Sequence, residues 1–247
     1  MKKTTKAIAA LMLMTAVVCA AGCKKQEPSS GSFNGHEYVD LGLPSGTMWA
    51  ASNLDAGNSK GYAYFAWGET ETKSTYNWST YKWAADDYGY AITKYCSYAH
   101  PGYENYIDNL TVLQAEDDAA TVHWGEGWRT PTKEEWLELL HNSTRKWTRR
   151  NGVEGMLFTG LNGNTIFLPA AGSYWDDAPA LDNEDGLYWS STGDSHNAAA
   201  RVQIFYTDGM NGDDDFDPEG IGTEYGVFMM YEYRFAGCLI RPVHSAN

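Results

Sequence analysis

Cysteine is scarce in this chain. Four occur in 247 residues, and Cys19 and Cys23 fall near the start. That leaves Cys96 and Cys238, far apart in sequence. Structural zinc is held by closely spaced ligand pairs, so these two thiols do not outline a zinc site. In an oxidising compartment they either bridge, stabilising the fold by about 2–4 kcal/mol, or stay separate as buried thiols. The spacing leaves both open, because a bridge depends on how close the Cα atoms come. Positive charge is also sparse: 18 Lys and Arg face 32 Asp and Glu, for a net charge of −14. Such a surface repels phosphate backbones and anionic headgroups, which excludes nucleic acid as an expected partner. No apolar run reaches the roughly 20 residues that cross a bilayer as a helix. The histidines (His36, His100, His123, His141, His196 and His244) show no HExxH spacing, so each is expected on the surface or in packing.

What is present begins with an address. Lys2, Lys3 and Lys6 precede the uncharged stretch Ala7 to Val18, which runs into Cys19-Ala20-Ala21-Gly22-Cys23. This is the layout of a secretory signal peptide with small residues before a cysteine. Residues 1–22 are expected to be removed and Cys23 to carry lipid, giving a cell-envelope protein anchored by acyl chains alone. The expected site is the outer membrane, with its exposed face left open. Residues 23–31 (CKKQEPSSG) read as a flexible tether, and 32–247 as a single domain. Aromatics at 14% and 25 glycines fit a folded, turn-rich body.

The pattern predicts many short strands and few helices, an α+β fold. Strands are expected at Glu37 to Leu41, Thr47 to Ala51, Val153 to Thr159, Thr165 to Leu168, Leu187 to Ser190, Ala200 to Tyr206, Gly226 to Met230 and Leu239 to Val243. Asn151-Gly152 and Asn162-Gly163 predict hairpin turns. One helix is expected over Glu116 to Val122. A clearer one spans Thr132 to Asn142, where Thr132 and Glu135 form a capping box and Trp136, Leu139 and Leu140 share a face. Residues 60–106 are expected to be long loops with short strands. They are crowded with Tyr62, Tyr64, Phe65, Trp67, Tyr76, Trp78, Tyr81, Trp83, Tyr88 and Tyr90, at least half of them core.

Five stretches occur in order: Val39 to Gly46 (VDLGLPSG), Phe65 to Glu69 (FAWGE), Asp117 to Ala120 (DDAA), Trp128 to Trp136 (WRTPTKEEW), and Gly186 to Ser191 (GLYWSS) followed by Arg241-Pro242-Val243. Together they resemble the Fibrobacter succinogenes major paralogous domain, abundant in lipoproteins of gut Bacteroidetes. The likeness covers about residues 33 to 243. It implies a C-type-lectin-like fold, with twisted antiparallel sheets, one or two flanking helices and long ligand-contacting loops. That fold is related to formylglycine-generating enzymes and to variable proteins of diversity-generating retroelements. Family members often carry Cys where this chain has Ser143. Formylglycine-type catalysis needs a close reactive cysteine pair, and Cys96 and Cys238 do not match it.

In the related variable proteins the binding residues lie between the tryptophan strand and the final Arg. The resemblance, with the loop composition, gives the ligand-binding candidates Trp175, Asp176, Asp177, His196, Asn197, Tyr206, Asp208, Asn211, Phe216, Tyr225, Tyr231, Tyr233 and Arg234. Tyrosine supplies rigid contact area, while Asn and Asp supply adaptable polar contacts. No cofactor is expected. Asp213, Asp215 and Asp217 are a weak calcium candidate, since the full D-x-D-x-D-G loop pattern is not met. Asp117, Asp118, Glu134, Glu135, Asp176 and Asp177 could serve hydrolysis only if two acids sit about 5–10 Å apart across a cleft. The expected function is therefore non-catalytic binding of a glycan or surface protein. The alternatives are a polysaccharide-acting hydrolase and a structural subunit of a fimbria-like assembly. Oligomeric state is left open.

Overall fold

The structure, a computed structural model, describes residues 30–55, 57, 61–180, 184–194, 197–206 and 226–245. The expected signal peptide and Cys23 lie outside the described residues. The fold is mixed and sheet-rich with few helices. Strands β1 (Ser30–Phe33), β2 (His36–Asp40) and β3 (Thr47–Ala50) form a meander, and β12 (Val243–Ser245) pairs with β3 to complete a four-stranded sheet. β1 and β2 are joined by Asn34-Gly35, both at positive φ. Ser30 and Gly31, expected in the tether, instead pair with Val39 and Tyr38. The hairpin is held to the body because the Trp128 indole donates to Phe33 O at 3.0 Å.

A second sheet takes β4 (Thr144–Arg150), β5 (Val153–Thr159) and β6 (Thr165–Pro169) in chain order. Asn151 and Gly152 turn the first hairpin at φ 52° and 83°, as the type I′ geometry requires. The Asn162-Gly163 turn differs from expectation, since Gly163 is left-handed and Asn162 is not. The loop is wider, closed by Gly160 N donating to Asn164 O at 2.9 Å, and Asn162 Nδ2 is drawn to Asp40 O. β7 (Ser173–Trp175) and β8 (Ala178–Ala180) make a small hairpin. The last sheet orders β9 (Asp185–Gly193), β10 (Ala198–Phe205) and β11 (Val227–Tyr233) as β11-β10-β9.

The expected helix over Glu116 to Val122 splits into a 3-10 turn, Ala115–Asp117, and α1 (Ala119–Trp124). Asp118 causes the break. Its Oδ1 caps Ala120 N at 2.9 Å while its Oδ2 accepts from Thr130 N at 2.8 Å. α2 (Lys133–His141) has the predicted capping box between Thr132 and Glu135 and buries Trp136, Leu139 and Leu140. Among the described residues of 60–106 there is no strand longer than isolated bridges, and only two 3-10 turns.

β9 separates two apolar cores, because successive side chains of a strand face opposite ways. Leu187 and Trp189 join a core with Phe65, Trp67, Ile92, Tyr95 and Trp128, while Tyr188 joins one with Trp49, Trp136, Phe158, Val202 and Ile204. Three indole N–H groups lock the motif segments together. Trp136 donates to Trp189 O at 3.1 Å, Trp189 to Phe65 O at 2.7 Å, and Trp67 to Ser190 O at 2.9 Å. These short stretches are thus mutual scaffold, since a buried indole N–H needs an acceptor.

The expected strand over Leu239 to Val243 is instead a central spine. Gly237 bridges to Tyr174, Cys238 to Phe65, Leu239 to Tyr188, and Val243 to Arg129 and Trp49. It changes partner at almost every step, so no continuous ladder forms, and Pro242 has no N–H to donate.

Candidate functional site

The β7–β8 hairpin and the turn beside it carry a nest of aromatic rings. Asp176, at the hairpin tip, adopts a left-handed φ of 52°, a conformation that Asp tolerates better than most residues. Its backbone pairs with Tyr76 in both directions, at 2.7 and 2.9 Å. This pairing places the 3-10 turn Trp78–Thr80 alongside Trp175. Asn77 starts that turn, accepting from Thr80 N at 3.2 Å while its Nδ2 donates to Asp176 Oδ1 at 3.1 Å. Trp78 and Trp175 then meet Phe235 edge-on, with centroids 4.8 and 4.9 Å away. Tyr233 stacks on Phe235 at 5.7 Å and meets both indoles edge-on. Phe235 is 6% exposed and Tyr233 is 47% exposed, so Phe235 is the floor and Tyr233 faces solvent.

A loop closes one side of the nest. Gly89 lies against the Trp78 ring so closely that a Cβ there would overlap it, and its φ is +73°. Asn197 Nδ2 donates to Gly89 O at 2.9 Å, tying the loop to the start of β10. Tyr88 and Tyr90 flank Gly89, both well exposed and mutually stacked at 6.1 Å. Their backbone N–H groups share Asp86 Oδ1, at 2.8 and 3.1 Å. The result is a shallow aromatic patch with polar groups at its edge.

Tyr174 points away from Trp175 along β7 and forms, with Tyr64 and Tyr76, the wall of a cleft of about 530 Å³. Asp55, Lys73 and Asp177 line it as well. Tyr76 donates to Tyr64 O at 2.6 Å, and burial pushes its phenol up to about 12. Burial draws Lys73 below its ordinary value against the opposing charge of Glu69, 2.9 Å away.

An acidic cleft of about 600 Å³ lies elsewhere, lined by Trp147, Glu154, Glu184, Asp185 and Tyr206. Burial raises the Asp185 carboxyl, opposed by a hydrogen bond from Gln203. Glu154 pairs with Arg149 at 2.8 Å.

The sequence candidates divide accordingly. Trp175, Asp176, Asn197 and Tyr233 come together in the patch. Asp177 turns into the tyrosine cleft and Tyr206 into the acidic one. Tyr231 is half-exposed on β11, its hydroxyl 3.3 Å from Lys133 Nζ. Arg234 is a correction: it is 0% exposed and lies over Trp67 at 4.8 Å. Its guanidinium donates to Ala198 O, Tyr95 O and Asp194 O at 3.0, 3.1 and 2.7 Å. It staples three segments and has no face for a ligand. His196, Asp208, Asn211, Phe216 and Tyr225 lie outside the described residues, as do the calcium candidates Asp213, Asp215 and Asp217. Among the described residues no group of three or more His, Cys, Asp or Glu is placed to hold a metal ion. Cys96 and Cys238 are both free and buried, with their thiols raised by burial.

Three of the acids considered for hydrolysis are scaffold. Asp117 and Asp118 are buried, and Glu135 takes a two-pronged bond from Arg129 at 2.6 and 2.5 Å. The sequence is expected to lack a G-x-S-x-G nucleophile elbow, but Gly57-Asn58-Ser59-Lys60-Gly61 has that form. Ser59 is outside the described residues. A nucleophile elbow passes from strand into helix, and no helix follows Gly61 before the 3-10 turn at Trp78. Sequence reading also left Asn77, Trp78, Gly89 and Phe235 unassigned. The signal for Trp78, with its neighbours Asn77 and Gly89, was the Tyr and Trp crowding over 60–106, which mixes core rings with patch rings; Phe235 had no such signal. No family model, curated protein or solved structure matches the chain.

Proposed function

We propose that this chain is a non-catalytic, lipid-anchored envelope protein of C-type-lectin-like fold that binds a glycan on the Trp78–Trp175–Tyr233 patch. The observation that carries this reading is the nest itself: an exposed ring backed by three others, edged by Asp176 and Asn197. An aromatic face covers the apolar face of a sugar ring, and carboxylate and amide groups at its edge meet the hydroxyls. Asp176 uses Oδ1 on Asn77, which leaves Oδ2 to a ligand hydroxyl. The test is a glycan array and titration with the full chain, with and without EDTA. Saturable, EDTA-insensitive binding that is lost in both Trp175→Ala and Tyr233→Ala is the expected result. Binding that survives in both variants refutes the patch.

The acidic cleft favours a second reading, a polysaccharide-acting hydrolase. Asp185, raised toward its protonated form by burial, would be the acid, and Glu154, which lines the same cleft, its partner. Release of reducing ends from envelope or plant polysaccharide, abolished by Asp185→Asn, would establish it. Absence of release across such substrates leaves the binding reading in place.

A further inference from the structure

A pocket of about 400 Å³ on a different face is lined by Ser52, Asn53, Tyr62, Arg150, Phe167 and Arg241, among others. Its charged lining residues are both arginines, in a chain where acids outnumber bases by 32 to 18. Arg241 is 1% exposed. It donates from Nε to Asn53 Oδ1 at 2.8 Å, from Nη1 to Ala50 O at 2.9 Å and from Nη2 to Phe167 O at 2.6 Å. All three acceptors are neutral. A guanidinium has five N–H groups; with three on these acceptors and the Tyr188 hydroxyl against it, one is left over. A buried charge is costly unless an opposite charge meets it, and among the described residues no carboxylate pairs with Arg241. Burial lowers Arg241 to about 10, with the Tyr188 hydroxyl opposing. Arg150, at the mouth, lies 5.6 Å above the Phe167 ring and likewise has no carboxylate partner among the described residues.

We propose that this pocket binds the carboxylate of an acidic sugar, a uronic-acid residue, on the exposed Arg150, with the buried Arg241 supplying positive charge behind it. The exposed, planar guanidinium fork of Arg150 matches the two coplanar oxygens of a carboxylate. Tyr62, Phe167 and Pro169 flank the two arginines and give the ring an apolar wall that a bare inorganic anion would leave unused. Asn53 has Oδ1 on Arg241 and Nδ2 on the Tyr188 hydroxyl at 3.3 Å, which fixes the guanidinium plane in advance. The site is separate from the aromatic patch and does not rest on that reading.

The test is titration of the full chain with glucuronate, with glucose and inorganic phosphate as comparison probes. Glucuronate is expected to bind saturably and more tightly than either. Arg150→Ala, at an exposed position, should weaken it about 10- to 100-fold, and Arg150→Lys by less. Tyr233→Ala should leave glucuronate binding unchanged, which separates failure here from failure of the patch. No saturable binding, or binding unaffected by Arg150→Ala, overturns the assignment. Phosphate binding as tight as glucuronate overturns the sugar-acid identity.

Discussion

Asp117 is 2% exposed and accepts from three groups: Lys82 Nζ at 3.0 Å, Lys94 Nζ at 2.5 Å and the Tyr95 hydroxyl at 2.8 Å. Lys82 and Lys94 stand at the two ends of the segment that carries Tyr88, Gly89 and Tyr90, which is closed between them by the Ala84–Ile92 bridge. One buried carboxylate therefore clamps the loop that backs Trp78. Asp117→Asn keeps the shape and removes the charge. Breaking a buried ion pair from one side costs about 3–5 kcal/mol. Here the lysine side chains are 46% and 20% exposed, so water partly recovers them, and about 2–3 kcal/mol is expected. In a chain of this size that lowers Tm by roughly 5–10 °C. Urea titration and thermal melts measure it. Lys82→Ala and Lys94→Ala, each combined with Asp117→Asn, should be clearly less than additive. The pH dependence has a definite sign. Burial alone would raise this carboxyl, but the bonds from Lys94, Lys82 and Tyr95 outweigh it and hold it below its ordinary value. Its contribution is thus complete above the unfolded pKa near 3.9 and is lost as pH falls through the lower folded value. The difference between wild type and Asp117→Asn should stay flat from pH 7 to about 5 and shrink in acid below about 4. A variant that melts with the wild type at pH 7, or combinations that add fully, would refute the clamp.

Gly89→Ala should destabilise by about 1–3 kcal/mol, through both the positive φ and the overlap with Trp78, and should weaken patch binding more than Tyr88→Ala does. The measurements are urea unfolding and glycan titration. His244, packed against Phe33, Tyr38 and Trp128, is lowered by burial, opposed by its bond to Ser245 O. The unfolded chain then takes up the proton first, so stability should fall as pH drops from about 6.5 toward 5. His244→Phe should flatten that slope in unfolding experiments. His36, stacked on Trp124 at 3.9 Å and also lowered by burial against the pull of Asp55, adds a slope of the same sign.

The elements legible in the sequence are those whose cause is local. Thr132 with Glu135, and Asn151 with Gly152, set α2 and the β4–β5 turn from neighbouring residues alone. The spine at 237–243 was misread as a strand because its partners, Tyr174, Phe65, Tyr188 and Arg129, are spread along the whole chain. The same holds for the patch. Trp175, Asp176, Asn197 and Tyr233 were singled out, but Trp78 and Gly89 join them only through the Tyr76–Asp176 pairing across distant segments. Arg234 was misassigned because an arginine among tyrosines looks like a contact residue. Its burial follows from three backbone carbonyls converging on it, which no local pattern announces.

Residues 237–243 are translated after every segment they bridge. Until they emerge from the ribosome, the edges of Phe65, Tyr174, Tyr188, Arg129 and Trp49 that face them have no backbone to pair with. Closure of either half of the interior must then await the synthesis of 237–243, and long sequence separations of this kind slow the search for the native state. A ribosome-stalled chain ending before Gly237 should accordingly stay open to protease around Phe65, Arg129 and Tyr174, the segments that residues 237–243 bridge.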